Sequence, residues 1–255
     1  IVLYCWRGGK RSQMVSLYLQ SCGFSCSILE GGYKSYRHLV LDTLDKMVGH
    51  SYLVLHGYTG AGKTEFLSYL DNQGIGVINF EDIACHRGSA FGKIGDRRPC
   101  PSQQQFENNI CRDYFRVKKQ RTIVVEIEGV IGPVVIPTKL RNKIRQSPIV
   151  LIKRDFLDRS KRLVKDYCLD WSDRDLDSFT DALFLLKKRL STQDYSAITS
   201  HAYKNNFLEI TKILLEKHYD VMYKKSLKRE AEKIKKQFFF PDETQMALHW
   251  IKDHV

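Results

Sequence analysis

A chain of 255 residues with 43% hydrophobic and 27% charged content is globular rather than disordered, and its length suits one ordinary core plus a smaller unit. No apolar run reaches membrane-spanning length and no signal peptide is visible, so no membrane is expected as a partner. The formal net charge of +12 favours a polyanion such as RNA, DNA or a phosphorylated ligand.

In chain order, Val2 to Tyr4 reads as the end of a buried strand. Ser12 to Leu19 reads as a helix with Met14, Val15, Leu17 and Tyr18 as its apolar positions. "CSILEGGYKSY" reads as a short strand, a glycine turn and a second helix to about Leu44, and a boundary falls near residues 46 to 51. "YLVLHGYTGAGKTEFLSYL" then gives a strand, a glycine loop and an amphipathic helix. "GVINF", "TIVVEIE" and "PIVLIKRD" are three further strands, with "PSQQQFENNICRDYFRVKKQ" a helix between the first two. Strands alternating with helices argue for a parallel sheet. From about Phe156 onward the pattern is helical, without a convincing strand.

Two loops carry chemistry. Residues 57–64 satisfy G-x-x-x-x-G-K-[ST], the phosphate-loop pattern: Gly57, Thr59, Gly60 and Gly62 let successive N–H groups converge on a phosphate. Lys63 reaches a phosphate oxygen, and Thr64 is placed for a magnesium ion. A nucleotide triphosphatase would add an aspartate at a later strand end. Here Glu126 and Glu128 stand there, as metal helpers or as solvated strand-end charges. The other loop, "YCWRGGKRS", sets Cys5 at a strand end, before a nest made possible by Gly8 and Gly9 and among the cations Arg7, Lys10 and Arg11. Both features favour thiolate, and both would hold a terminal sulfide, selenide or oxyanion. Of the seven cysteines none forms a C-x-x-C pair. No zinc site or disulfide framework is legible, which points to a reducing cytoplasm. Cys22, Cys26, Cys111 and Cys168 read as core or neutral positions, while Cys85 and Cys100 flank a polar loop.

The cysteine loop resembles that of rhodanese-type sulfurtransferases, and its Cys-Trp-Arg-Gly-Gly form is similar to that of the bacterial tRNA 2-selenouridine synthase family. "LEGGYKSYR", "GYTGAGKTEFL", "HRGSAFG", "PSQQQFEN", "IPTKL" and "LLEKHYD" follow in that family's order across essentially the whole chain. The resemblance implies an α/β fold: a partial rhodanese-like unit over residues 1–46, a P-loop parallel-sheet domain over 50–155 and a helical C-terminal region over 156–255. It implies S-geranylation of wobble 2-thiouridine in tRNA with geranyl diphosphate, the leaving pyrophosphate sitting in the loop at Gly57–Thr64. Selenium from selenophosphate then replaces the geranylthio group, carried by Cys5 as a selenenylsulfide and aided by Arg7, Gly8, Gly9 and Arg11. Geranyl diphosphate and selenophosphate are co-substrates, Mg2+ is an optional co-ion, no cofactor is tightly held, and a selenophosphate-producing enzyme is a candidate partner. His86, Arg87 and Ser89 are candidates for the tRNA or diphosphate site, against a plain polar surface loop.

Two departures stand out. The family's acidic run followed by Ser-Arg after the third strand of the P-loop domain is here Glu126, Ile127, Glu128, Gly129, Val130. A rhodanese domain also needs about twice the length ahead of the boundary, so the chain is expected to be either a fragment or a truncated product in which selenium transfer is weak or lost. Two competing readings follow: a P-loop kinase or nucleotide hydrolase with a rhodanese remnant, and a non-catalytic tRNA-binding protein. For RNA, the run over residues 223–237 gathers seven cations on a helix-compatible stretch, Lys228 and Arg229 among them, against a solvated terminal helix.

Overall fold

The computed structural model describes residues 1–94, 98–126, 130–168 and 173–255. The chain divides into two compact units, Ile1–Gly49 and His50–Val255.

The first unit runs β1 (Val2–Leu3), α1 (Lys10–Ser21), β2 (Ser27–Ile28) and α2 (Gly32–Met47), with β1 and β2 paired in parallel. The turn before α2 sits against the cysteine loop: Tyr33 N–H donates to Cys5 C=O at 2.9 Å and Lys34 N–H to Trp6 C=O at 2.9 Å. A Cβ on Gly32 would lie 2.2 Å from that Cys5 oxygen, so only glycine permits the approach. Helix α1 departs from its expected pattern. Met14, Val15, Leu17 and Tyr18 are exposed, and Ser12 and Ser16 are its buried residues. The helix is fastened by the small polar face toward the cysteine loop rather than by an apolar stripe.

The second unit holds a five-stranded, all-parallel sheet in the order β4–β5–β3–β8–β9. Its elements are β3 (Ser51–His56), α3 (Lys63–Asn72), β4 (Val77–Ile78), α4 (Phe80–Ala84), α5 (Gln103–Val117) and β5 (Thr122–Glu126). A small antiparallel hairpin, β6 (Val130–Ile131) and β7 (Val134–Val135), follows, then α6 (Thr138–Arg145) and β8 (Ile149–Lys153). Helices α7 (Phe156–Cys168), α8 (Asp173–Leu186), α9 (Thr192–Tyr203), α10 (Phe207–Leu214) and α11 (Asp220–Glu230) precede β9 (Ile234–Phe239) and α12 (Thr244–His254). Burial of β3, β5 and β8 on both faces accounts for their continuous apolar runs, as parallel sheets require.

The C-terminal region is not purely helical. Strand β9 forms the fifth rung of the sheet, so residues 223–237 are a helix followed by a strand, not one helix. Its Phe238, with Phe240, Leu248 and Ile251 after it, joins Phe66, Leu67 and Leu70 of α3 in the main core. A separate apolar cluster lies among the helices, where Phe91 and Ile94 meet Phe179, Leu183, Ile198 and Ile210. Between α10 and α11 the helical path continues without a break through a π-turn, Leu215–Tyr219. Such insertions often mark functional sites.

Candidate functional site

The glycine loop leaves β3 at His56 and closes onto the start of α3. A Cβ on Gly57 would lie 2.4 Å from Ile152 C=O of the neighbouring strand, so the loop can hug the sheet edge only with glycine there. Lys63 Nζ folds back onto Gly57 C=O at 3.1 Å, and Thr64 Oγ1 donates to Glu126 Oε1 at 3.2 Å. Glu126 is buried at the end of β5, next to β3, and so stands beside the loop despite the long separation in sequence. Glu128, the other strand-end acid, lies outside the described residues.

Three arginines that the motif does not announce surround the loop. Arg159 is buried and donates to Thr59 C=O at 3.1 Å. It also makes a two-pronged ion pair with Asp220 of α11, at 2.9 and 2.7 Å. Arg154 Nε donates to Ala61 C=O at 3.2 Å. Arg162 pairs with Glu65 at 2.5 Å and lies 3.5 Å from Asp166. Their only trace in the sequence is a cation-rich stretch following β8, which by itself reads as a solvated face.

Residues 86–89 divide. Arg87 and Ser89 line the cleft with the glycine loop. Arg87 donates to Asp166 C=O at 2.7 Å, and its guanidinium lies 4.5 Å from the centre of the Tyr167 ring. The His86 ring instead fills a slot against Gly92 and Gly132, and its Nδ1 accepts from Gly88 N–H at 3.1 Å. That hydrogen bond and packing shape the loop. Lys228 and Arg229 are exposed on α11.

The cleft is nearly balanced in charge. Lys63, Arg87, Arg162 and Arg189 face Glu65, Glu81, Glu126 and Asp166. A mainly apolar cavity adjoins it, lined by Phe91, Phe179, Phe207, Ile210 and Leu214. Thr59, Ser89, Leu163, Tyr167 and Tyr219 line both spaces. Below the loop, burial and the nearby Lys63 and Lys233 push His56 down to about 4, so it is neutral at physiological pH.

In the first unit Cys5 Sγ accepts from Gly9 N–H at 3.1 Å and from Ser12 Oγ at 3.5 Å. The Ser12 hydroxyl, then the Arg7 and Gly9 N–H groups, lower the thiol to about 6. The backbone donors to the sulfur are Arg7 and Gly9, and the largest contribution comes from Ser12, which the sequence does not single out. Cys111 is buried, while Cys85 and Cys100 are free thiols, with Cys100 Sγ 3.7 Å from Cys85 C=O. The Cys168 side chain lies outside the described residues.

Residues 50–255 match the family described as the tRNA 2-selenouridine synthase AAA domain, and those are the bounds of the second unit. The chain belongs to that family. Curated relatives include tRNA 2-selenouridine synthases of Salmonella arizonae, 29% identical, and Salmonella typhi, 28% identical. Each match covers 98% of this chain and 74% of the relative. Among solved structures, an uncharacterized protein from Eubacterium ventriosum aligns over 81% of this chain and 98% of its own at 12% identity and a TM-score of 0.33, which carries no argument. Among the described residues no helix is long and apolar enough to cross a membrane, and no three His, Cys, Asp or Glu side chains group as a metal site.

Proposed function

We propose that this chain acts on tRNA as its relatives' name states, in two steps at two sites. At the glycine-loop cleft, wobble 2-thiouridine is S-geranylated with geranyl diphosphate. At the cysteine loop, the selenium of selenophosphate attacks C2 of the modified uridine and displaces geranylthiolate, and water then cleaves the selenium–phosphorus bond to release phosphate, beside the anion-favouring donors around Cys5. The observation that supports the first step most is the continuity of the charged cleft with the apolar cavity through five shared lining residues. A ligand with an anionic head and a hydrocarbon tail suits that pair of spaces. A nucleotide would put its polar base among Phe91, Phe179 and Leu214.

In this mechanism Lys63 leaves Gly57 C=O for a phosphate oxygen, and Arg162 exchanges Glu65 for the same anion. The loop N–H groups take the remaining oxygens. The apolar cavity keeps water from the first carbon of the chain. The thiouridine sulfur attacks that carbon, the carbon–oxygen bond breaks, and its electron pair leaves with pyrophosphate while the N3 proton is lost. Thr64 and Glu126 offer hard oxygen donors 3.2 Å apart, a set that fits Mg2+ completed by phosphate oxygens and water. When bound, the ion neutralises charge on the departing diphosphate. At the second site, the donors around Cys5 favour its sulfur as an anion. A selenophosphate-producing enzyme is the partner this step calls for, and the cytoplasm its compartment.

Lys63→Ala tests the reading. Prenylation of thiolated tRNA, followed by the mass of the modified nucleoside, is expected to fall by orders of magnitude, a barrier increase of about 3 kcal/mol. Near-normal prenylation by the variant would remove this loop from the reaction. The Thr64–Glu126 pair also suits a nucleotide hydrolase, and that alternative predicts orthophosphate release from ATP without pyrophosphate release from geranyl diphosphate. Tight tRNA binding with no turnover of either donor would leave only a binding protein.

A further inference from the structure

We propose that a second cleft, at the opposite end of the sheet from the glycine loop, docks RNA, with Lys143 and Lys235 taking backbone phosphates and the Trp250–His254 stack offering a ring face to a base. The inference rests on the tRNA reading above and adds a surface to it.

The cleft lies where the strands begin. Ser51 of β3, Thr122 of β5 and Pro148 just before β8 form its floor, and α6 and α12 contribute Lys143, Trp250 and His254 to its lining. It encloses about 1240 Å³, open solvent included. Lys235 reaches it by a local irregularity in the sheet. Ile234 stands opposite Ile149 and Lys236 opposite Val150, so Lys235 is the extra residue of a bulge, a device that re-aims a side chain out of the ladder. The approach to the bulge is fastened by Lys233 Nζ, which donates to Arg145 C=O at the end of α6 at 2.7 Å.

Charge decides the kind of ligand. The glycine-loop cleft sets four cations against four acids, a balance suited to a small anion with its counter-ion. The second cleft has two lysines and a histidine among its lining and no Asp or Glu. Helix α6 behind it, "TKLRNKIR", carries four cations and no acid. Lysines in a cleft lined by no acid, beside a stacked aromatic pair with rings 3.9 Å apart and 15° from parallel, are the two ingredients of sequence-tolerant nucleic-acid binding. The six residues of β3 separate this cleft from the glycine loop by about 20 Å. A ligand touching both ends must be at least that long, which a folded RNA is and a phosphorylated metabolite is not. Lysines on an edge strand also discourage strand addition, but Lys143 and Trp250 are on helices and gain nothing from that role.

The test uses the full chain and a fluorescently labelled tRNA transcript, with affinity read by anisotropy across a salt series and no co-substrate present. Lys143→Gln with Lys235→Gln should weaken binding and reduce the slope of log affinity against log salt by roughly two units, one per lost phosphate contact. Lys143→Arg with Lys235→Arg should keep the wild-type slope. Wild-type binding with an unchanged slope in the Gln pair overturns the cleft alone. So does a loss of slope confined to Lys228→Gln with Arg229→Gln. Poor solubility of the Gln pair with unchanged binding assigns Lys235 to edge protection and also overturns the proposal. No tRNA binding by the wild-type chain overturns the cleft and the tRNA reading together.

Discussion

Cys5 is favoured as a thiolate by donors from its own loop and from the start of α1. The Ser12 side chain leads the lowering of the thiol to about 6, ahead of the Arg7 and Gly9 amides. The rate of Cys5 alkylation by iodoacetamide should therefore rise through a midpoint near 6, and Ser12→Ala should move that midpoint up toward the ordinary thiol range. A midpoint unmoved by Ser12→Ala would leave the Arg7 and Gly9 amides as the cause. His56 makes a second residue-scale prediction. Its folded value is depressed to about 4 while the unfolded chain titrates near the usual value of about 6.5, so the unfolded state binds the extra proton first. Stability should fall as pH drops from about 6.5 toward about 4, and His56→Gln should flatten that part of the curve in urea unfolding. Residues inside contiguous motifs were legible because spacing alone defines them, as at Gly57, Lys63 and Thr64. Arg159 and Arg162 were not, because their partners Asp220 and Glu65 meet them only through folding, and Ser12, though inside the cysteine motif, has no spacing rule that ties it to Cys5.

Helix α7 and helix α11 are held together at the glycine loop by one buried ion pair. Arg159 spends its two outer nitrogens on Asp220, and one of these also reaches Thr59 C=O. Asp220→Asn leaves a buried guanidinium without its counter-charge and should cost about 3–5 kcal/mol in urea unfolding. Arg159→Met with Asp220→Leu should recover much of that stability yet not the geometry of the loop, so prenylation should stay depressed. The π-turn just before Asp220 sets the register of this pair, since it carries Leu215 and Tyr219 toward the apolar cavity while α11 continues along its path. Deleting Glu216 should rotate everything beyond it by about 100° and separate Asp220 from Arg159. Among elements, the strands buried on both faces were readable as apolar runs. Strand β9 was not: "IKKQFF" follows a lysine-rich helix, and only its pairing with β8 separates the two.

The two units differ in how much they bury. More than half of the exposed large apolar side chains among the described residues belong to the first unit, from Ile1 through Leu41. Backbone amides of α1, which buries only Ser12 and Ser16, should exchange with deuterium far faster than those of β3, β5 and β8. Equal protection in α1 and β3 would contradict this account of how the helix is held. The parallel architecture was legible from alternating strands and helices. The second cluster, where Phe91 and Ile94 join the distant helices, was not, since no local pattern links them.

Strand β9 and helix α12 bear on how the protein is made. The glycine loop is synthesised early, but the apolar face of α3 behind it is completed by Phe238, Phe240, Leu248 and Ile251, and Gln245 meets Tyr69 across 176 residues of chain. A ribosome can deliver the loop, α3 and most of the sheet long before it delivers the edge that seals them. Until then Phe66 lacks Phe240, whose ring centre lies 4.7 Å from its own, and the cluster around α3 is left open on that side, a natural target for chaperones. Assembly of the cleft is therefore a late event in translation, and a nonsense codon placed just ahead of Ile234 would yield a polypeptide that contains every residue of the glycine loop and cannot fold around it.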